Sequence, residues 1–159
     1  MERALPNDID KVEFQEIFTF YKEYYTSHCR IKTKPYDGII DLLVELKDKG
    51  YRLAIVSNKN DAAVKELADY NFENLFELAI GQKDGIRKKP APDSLNEAIR
   101  ILGVEKKNVL YVGDSEVDKQ TADNAEVDCT LVDWGFRDRE DLEKLKPKSI
   151  ISKPEELIF

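Results

Sequence analysis

The hydrophobic period of the chain changes near residue 38, and the expected organisation follows from that change. From Val12 onward, Phe14, Ile17, Phe18, Tyr21, Tyr24 and Tyr25 recur at helical spacing, with Asp10 placed to cap the segment. This predicts one long helix whose aromatic face is a packing surface. Ile31 to Asp37 breaks the period, and Pro35 disfavours helix at Lys34, so a linker is expected there. Beyond Gly38, helical stripes alternate with short β-branched runs. Ile39, Leu42, Leu43 and Leu46 form a stripe that stops at Gly50, and Tyr51 to Ser57 reads as a strand. Asn60 to Tyr70 predicts a second helix, Leu78 to Gly81 a short strand, and Gln82 to Lys89 a charged loop. Leu95, Ala98, Ile99 and Leu102 make another stripe, ended by Gly103. The strand that follows, Asn108 to Val112, carries apolar residues on both faces, which argues for a central parallel strand. Glu116 to Glu126 predicts a helix, and Cys129 to Asp133 and Ser149 to Ser152 predict the last strands. Such alternation implies an α/β fold built on a doubly wound parallel sheet.

Composition narrows the function classes. A chain of 159 residues is about one domain and buries enough surface to need no covalent staples. Its two cysteines, Cys29 and Cys129, stand far apart with no metal-binding spacing, so neither a disulfide framework nor a structural zinc site is expected. The net charge of −7 and the lack of a long basic stripe exclude nucleic acid as the expected partner. Apolar runs such as Leu53 to Val56 are strand-sized, and the N-terminus carries no export-signal pattern, so no membrane association is expected and the location is read as cytoplasmic.

In an open parallel sheet, ligands bind beyond the carboxyl ends of the strands. Three polar elements fall at such ends. Ser57-Asn58-Lys59 offers a hydroxyl, an amide and nearby helix N–H groups to an anion, though Ser-Asn before a helix also reads as an ordinary N-cap. Lys88-Lys89-Pro90-Ala91-Pro92-Asp93 stiffens the approach to a helix, which would aim a lysine in one direction where an ordinary loop lysine is merely solvated. Gly113-Asp114-Ser115-Glu116-Val117-Asp118 places two carboxylates near one another, since Asp118 shares a helical face with the sheet-packing residues Thr121, Ala122 and Ala125. Such carboxylates suit a hard divalent cation, with Mg²⁺ the natural candidate; capping of the helix is the competing role.

The conjunction of VSNK at Val56 to Lys59, KKPAPD at Lys88 to Asp93 and VGDSEVD at Val112 to Asp118 resembles the haloacid dehalogenase-like superfamily. KPYDGI at Lys34 to Ile39, TADNAEV at Thr121 to Val127 and DWGFR at Asp133 to Arg137 are similar to its phosphoglycolate-phosphatase-like branch. The resemblance implies Mg²⁺-dependent hydrolysis of small phosphomonoesters through an aspartyl-phosphate. Ser57 and the backbone of Asn58 would bind the phosphoryl group and Lys89 would neutralise it. Asp114 would ligate Mg²⁺, Asp118 would support the metal site, and Trp134 to Arg137 would form a loop at the rim. It also implies a helical cap, of which residues 1–35 would be a remnant, and a Rossmann-like core at residues 36–159.

One departure bears on activity. The family's nucleophile lies in a DxDGT motif after an apolar strand, and no such motif occurs in these 159 residues. The single D-x-D, Asp8-Ile9-Asp10, leads straight into the aromatic helix with no Gly-Thr turn. Glu2 to Pro6 resembles sequence within the family's cap, so the chain is read as truncated at its N-terminus. It would then lack the first, central strand of the sheet, together with the attacking Asp, the acid/base Asp and metal ligands, so any Mg²⁺ would be held weakly. The strands ending at Ser57 and Gly113 would expose their edges, to be met by direct pairing, by a shifted element, by self-association or by strand donation from another chain. Two readings result: a phosphatase by family that is inactive alone, or a non-catalytic fragment that binds anions or a complementing chain.

Overall fold

The computed structural model describes residues 5, 8–28 and 30–158. The expectations about Cys29, and most of those about the first seven residues, lie outside the described residues. The chain divides into two compact units, Met1–Lys34 and Pro35–Phe159.

The first unit holds helix α1, Lys11–His28. Asp10 caps it as expected, its Oδ1 accepting from the backbone N–H of Val12 at 2.8 Å and of Glu13 at 2.9 Å. The aromatic face is organised by stacked rings four residues apart, Phe14 on Phe18 and Tyr21 on Tyr25.

The second unit alternates helices and parallel strands: α2 (Ile39–Asp48), β1 (Ala54–Asn60), α3 (Asp61–Phe72), β2 (Leu78–Gln82), α4 (Asp93–Leu102), β3 (Leu110–Gly113), α5 (Glu116–Ala125), β4 (Asp128–Val132), α6 (Arg139–Glu143) and β5 (Ser149–Ile151). Strand starts differ from the sequence reading for local reasons. Tyr51 N–H bonds back to the Leu46 carbonyl and closes α2, so β1 begins only at Ala54. Lys106–Asn108 forms a 3₁₀ turn, which delays β3 to Leu110. Helix α6 and a final 3₁₀ turn at Pro154–Leu157 are additional elements. Each is too short for periodicity to show, and each is anchored by one buried leucine, Leu142 and Leu157.

The parallel strands form two ribbons, with no ladder between β1 and β3, the two strands whose edges the sequence reading expects to be exposed. β1 pairs with β2, and β3 pairs with β4, which pairs with β5, all in parallel, but β1 and β3 are not joined. Direct pairing of these two strands is therefore not how their edges are met. The three-stranded ribbon is covered on both faces. Leu131 of β4 packs with Leu95, Ile99, Tyr111, Ala122, Ala125 and Leu142 on one side, whereas its neighbour Val132 packs with Leu42, Leu46, Ile151 and Leu157 on the other. The alternation of side chains along a strand thus separates α4, α5 and α6 from α2. Val56 of β1 packs against the first of these clusters, so the two ribbons share a core without sharing a ladder.

Candidate active site

The polar residues singled out from the sequence gather at the carboxyl ends of β1 and β3. The β1–β2 register shifts between Val56 and Asn60, which places Ser57 and Asn58 where the ladder is interrupted. Ser57 Oγ accepts from the Lys59 N–H at 3.2 Å. The cap of α3 is Asn60, whose side chain accepts from Ala62 N–H, so Ser57 and Asn58 are not spent as an N-cap. The helix starts at Asp61, later than the sequence reading placed it, and its N-terminal groups stand beyond Ser57-Asn58 along the chain.

Lys89 is the centre of the arrangement. Its ammonium donates to Asp118 Oδ1 at 2.8 Å, to the Tyr111 hydroxyl at 3.0 Å and to the Val56 carbonyl at 3.3 Å. It therefore bridges β1, β3 and α5. The ion pair with Asp118 is buried, with side-chain exposures of 13% and 10%. Burial opposes the lysine's charge, but Tyr111 and Asp118 outweigh it and hold the Lys89 pKa above its ordinary value. Burial likewise opposes the Asp118 charge, yet the ammonium and the hydrogen bonds from Ser115 and Asp114 bring its pKa below the usual carboxylate range. The Tyr111 phenol is pushed up to about 12, chiefly by burial, and serves as a neutral relay that takes a hydrogen bond from Lys89 and gives one to Asp118 at 3.3 Å.

Asp118 is saturated. Its Oδ1 accepts from Lys89 and Tyr111, and its Oδ2 from Ser115 Oγ at 2.6 Å and Asp114 N–H at 3.2 Å. Gly113 makes this possible, because a Cβ there would lie 2.2 Å from the Asp118 Cβ. Asp114 stands differently. Burial and the neighbouring Asp118 charge raise its pKa. The loop after β4 closes over it: Phe136 N–H donates to Asp114 Oδ2 at 3.2 Å, and a Cβ on Gly135 would lie 2.3 Å from the Asp114 Cβ. Arg137 grips Glu116 in a two-point ion pair at 2.8 and 2.7 Å, and Arg139 ties Asp133 at 2.9 Å, so the loop is fastened on both sides of Gly135-Phe136. Trp134 packs beside Val132 and Leu42, while the Phe136 ring is exposed.

The donor set bears on Mg²⁺. With Asp118 occupied by four donors, Asp114 is the carboxylate left to meet a cation, and among the described residues no group of three or more His, Cys, Asp or Glu is placed to hold a metal. One carboxylate plus water and a bound phosphate is within the habit of Mg²⁺, so the residues fit a shared ion rather than a dedicated cage.

Sequence reasoning passed over Tyr111 and Asn124, and it named Gly135 and Phe136 only as part of the rim loop Trp134 to Arg137, without their contacts to Asp114. Tyr111 carried the only usable signal, a hydroxyl-tipped residue inside an apolar strand that ends on Gly-Asp. A cleft of about 320 Å³ lined by residues including Lys65, Phe76 and Leu78 lies at the opposite end of β2 and shares no residue with this site.

Comparison with known proteins bears on the family and the fold. The family model described as haloacid dehalogenase-like hydrolase matches residues 2–132. A phosphoglycolate phosphatase of Aquifex aeolicus is 32% identical over 158 residues, spanning 98% of this chain and 73% of that protein. The pyrophosphatase PpaX of Bacillus cereus is 28% identical over 94% of this chain and 70% of its own length. A crystal structure from Lactobacillus delbrueckii subsp. bulgaricus, provisionally assigned as a phosphoglycolate phosphatase, superposes with a TM-score of 0.90 at 43% identity, over 96% of this chain and 64% of that one. The chain thus spans about two thirds to three quarters of these relatives. On the family match and the shared fold, it belongs to the haloacid dehalogenase-like hydrolases.

Proposed function

We propose that this chain carries the phosphate-holding part of a phosphatase site for small phosphomonoesters, and that it does not turn substrate over by itself. The observation that carries the reading is Lys89, a charged ammonium buried and aimed by three acceptors at the strand ends where Ser57 and Asn58 stand. A phosphoryl group there would take hydrogen bonds from Ser57 Oγ and the Asn58 backbone and would exchange one of the lysine's neutral acceptors for its own oxygen. Mg²⁺ bound at Asp114 would supply charge neutralisation to the same oxygens. Asp118 keeps Lys89 charged and directed. What is lacking is an attacking carboxylate: these residues hold no DxDGT motif, and the other acids that directly follow strands are engaged elsewhere, Asp61 with Gly81 N–H and Lys65 and Asp133 with Arg139 and Ser152. Phosphoglycolate-like esters are the substrate class by likeness to the Aquifex protein.

The test is hydrolysis of an aryl phosphate by the purified chain with Mg²⁺, beside Asp114→Asn and EDTA controls. No hydrolysis above the controls is the expected result. Hydrolysis abolished by both controls would mean that a carboxylate of this chain acts as nucleophile and would overturn the inactivity.

A second reading, association with a complementing strand, is favoured by one specific observation. Among the described residues β1 pairs only with β2 and β3 only with β4, so each has one edge without a ladder. Backbone groups along these two edges suit an added parallel strand, from a second copy or another chain. Sedimentation over a range of concentrations tests it: concentration-dependent association supports it, and a monomer throughout that also ignores an added apolar strand peptide opposes it.

A further inference from the structure

We propose that Asn58 and Asn124 are positioning residues that hold the backbone of the Lys89 loop and thereby aim its ammonium. The proposal rests on the reading of Lys89 as the fixed cation of the phosphate site. Asn58 meets Lys89 at two points: its Oδ1 accepts from the Lys89 N–H at 2.8 Å and its Nδ2 donates to the Lys89 carbonyl at 3.1 Å. A side-chain amide matched in this way to one residue fixes that residue's orientation as a strand partner would. Asn124 adds the next point along the chain, its Nδ2 donating to the Pro90 carbonyl at 2.9 Å. The two asparagines come from β1 and α5, elements that no ladder joins, and they converge on consecutive residues of one loop. All three ammonium hydrogens of Lys89 then have acceptors, on β1, β3 and α5. The Asn58 side chain is committed to the loop, so only its backbone N–H is offered to a phosphate.

The test reads the lysine itself. Reductive methylation under limiting reagent, followed by peptide mass spectrometry, gives a labelling rate for each lysine of the wild-type chain and of Asn58→Ala, Asn58→Asp and Asn124→Ala. Lys89 is expected to label at least about fivefold faster in Asn58→Ala, the equivalent of one of the two hydrogen bonds lost. The gain is smaller in Asn58→Asp, which keeps the acceptor for the Lys89 N–H. Lys106 should not change, and Lys119, a largely covered lysine on α5, reports unfolding if it accelerates too. Should Asn58→Ala unfold by that criterion, Asn58→Asp and Asn124→Ala decide the matter. Lys89 rates equal to wild type in the folded variants would overturn the proposal. A parallel titration with inorganic phosphate separates it from the reading beneath it. Faster labelling of Lys89 with no binding of phosphate by the wild-type chain leaves the positioning intact and sinks the phosphate site.

Discussion

Lys89 and Asp118 are each buried because the other is, and this reciprocity sets what substitutions there should do. Lys89→Met leaves a buried carboxylate without its counter-charge, so a loss of about 3 kcal/mol is expected in chemical denaturation, the usual cost of breaking such a pair. Asp114→Asn should act the other way. Its carboxyl pKa is raised by burial and by Asp118, so its charged form destabilises the fold. Neutralising it is expected to add about 1 kcal/mol at pH 7, the behaviour of a group kept for function. The pH dependence separates the two. Asp118, whose pKa is depressed, contributes stability that is present above the ordinary carboxyl value of about 3.9 and fades as pH falls through its lower folded value. Lys89, whose pKa is raised, contributes stability that is present below about 10.4 and fades as pH rises through its higher folded value. The gain from Asp114→Asn should vanish near pH 3, where Asp114 is protonated in both states. Equal stabilisation at pH 3 and pH 7 would contradict this account. Gly113→Ala places a methyl against the Asp118 side chain and is expected to cost about 2 kcal/mol, within the range for overpacking.

The elements that the sequence made legible are those whose stripe runs over two turns or more. α4 buries Leu95, Ala98, Ile99 and Leu102 as the spacing implied, and Gly103 ends it in a left-handed conformation that favours glycine. α6 was illegible because one leucine makes no period, and the strand starts were misplaced because a helix cap and a 3₁₀ turn take residues that read as strand. The site was legible in part for a related reason. Ser57, Lys89, Asp114 and Asp118 are announced by short polar motifs at strand ends, whereas Asn124 lies on the polar side of a helix and Gly135 acts only through the side chain it lacks. At this scale the two ribbons should differ in stability. β1 and β2 have one ladder between them, while β4 is paired on both sides and Leu131 is fully buried. Amide hydrogen exchange is expected to be at least about tenfold faster at Ile55 and Ala79 than at Thr130 and Leu131, since local opening is cheapest where few ladders close. Uniform protection across both ribbons would show that the shared core alone makes them one cooperative unit.

For the whole molecule, the split sheet and the proposed phosphate site are one arrangement. The shared apolar core holds β1 to β3 through Val56, and the Lys89 loop ties their carboxyl ends through polar contacts. Among the described residues no helix is long and apolar enough to cross a membrane. Strand and helix alternation gave the parallel α/β class, and periodicity, which tells which segments are strands, leaves open which edges meet. The doubly wound character is what the structure shows in β3–β4–β5, where Leu131 and Val132 face helices on opposite sides. The central claim is that these residues hold phosphate at Lys89 without an attacking carboxylate. The most direct measurement is a titration of the ¹⁵N-labelled chain with inorganic phosphate, followed residue by residue through its amide resonances. The account predicts saturable shifts centred on Ser57, Asn58 and Lys89 that disappear in Lys89→Met. Shifts that survive Lys89→Met, or no saturable shifts at these residues in the wild-type chain, would contradict it.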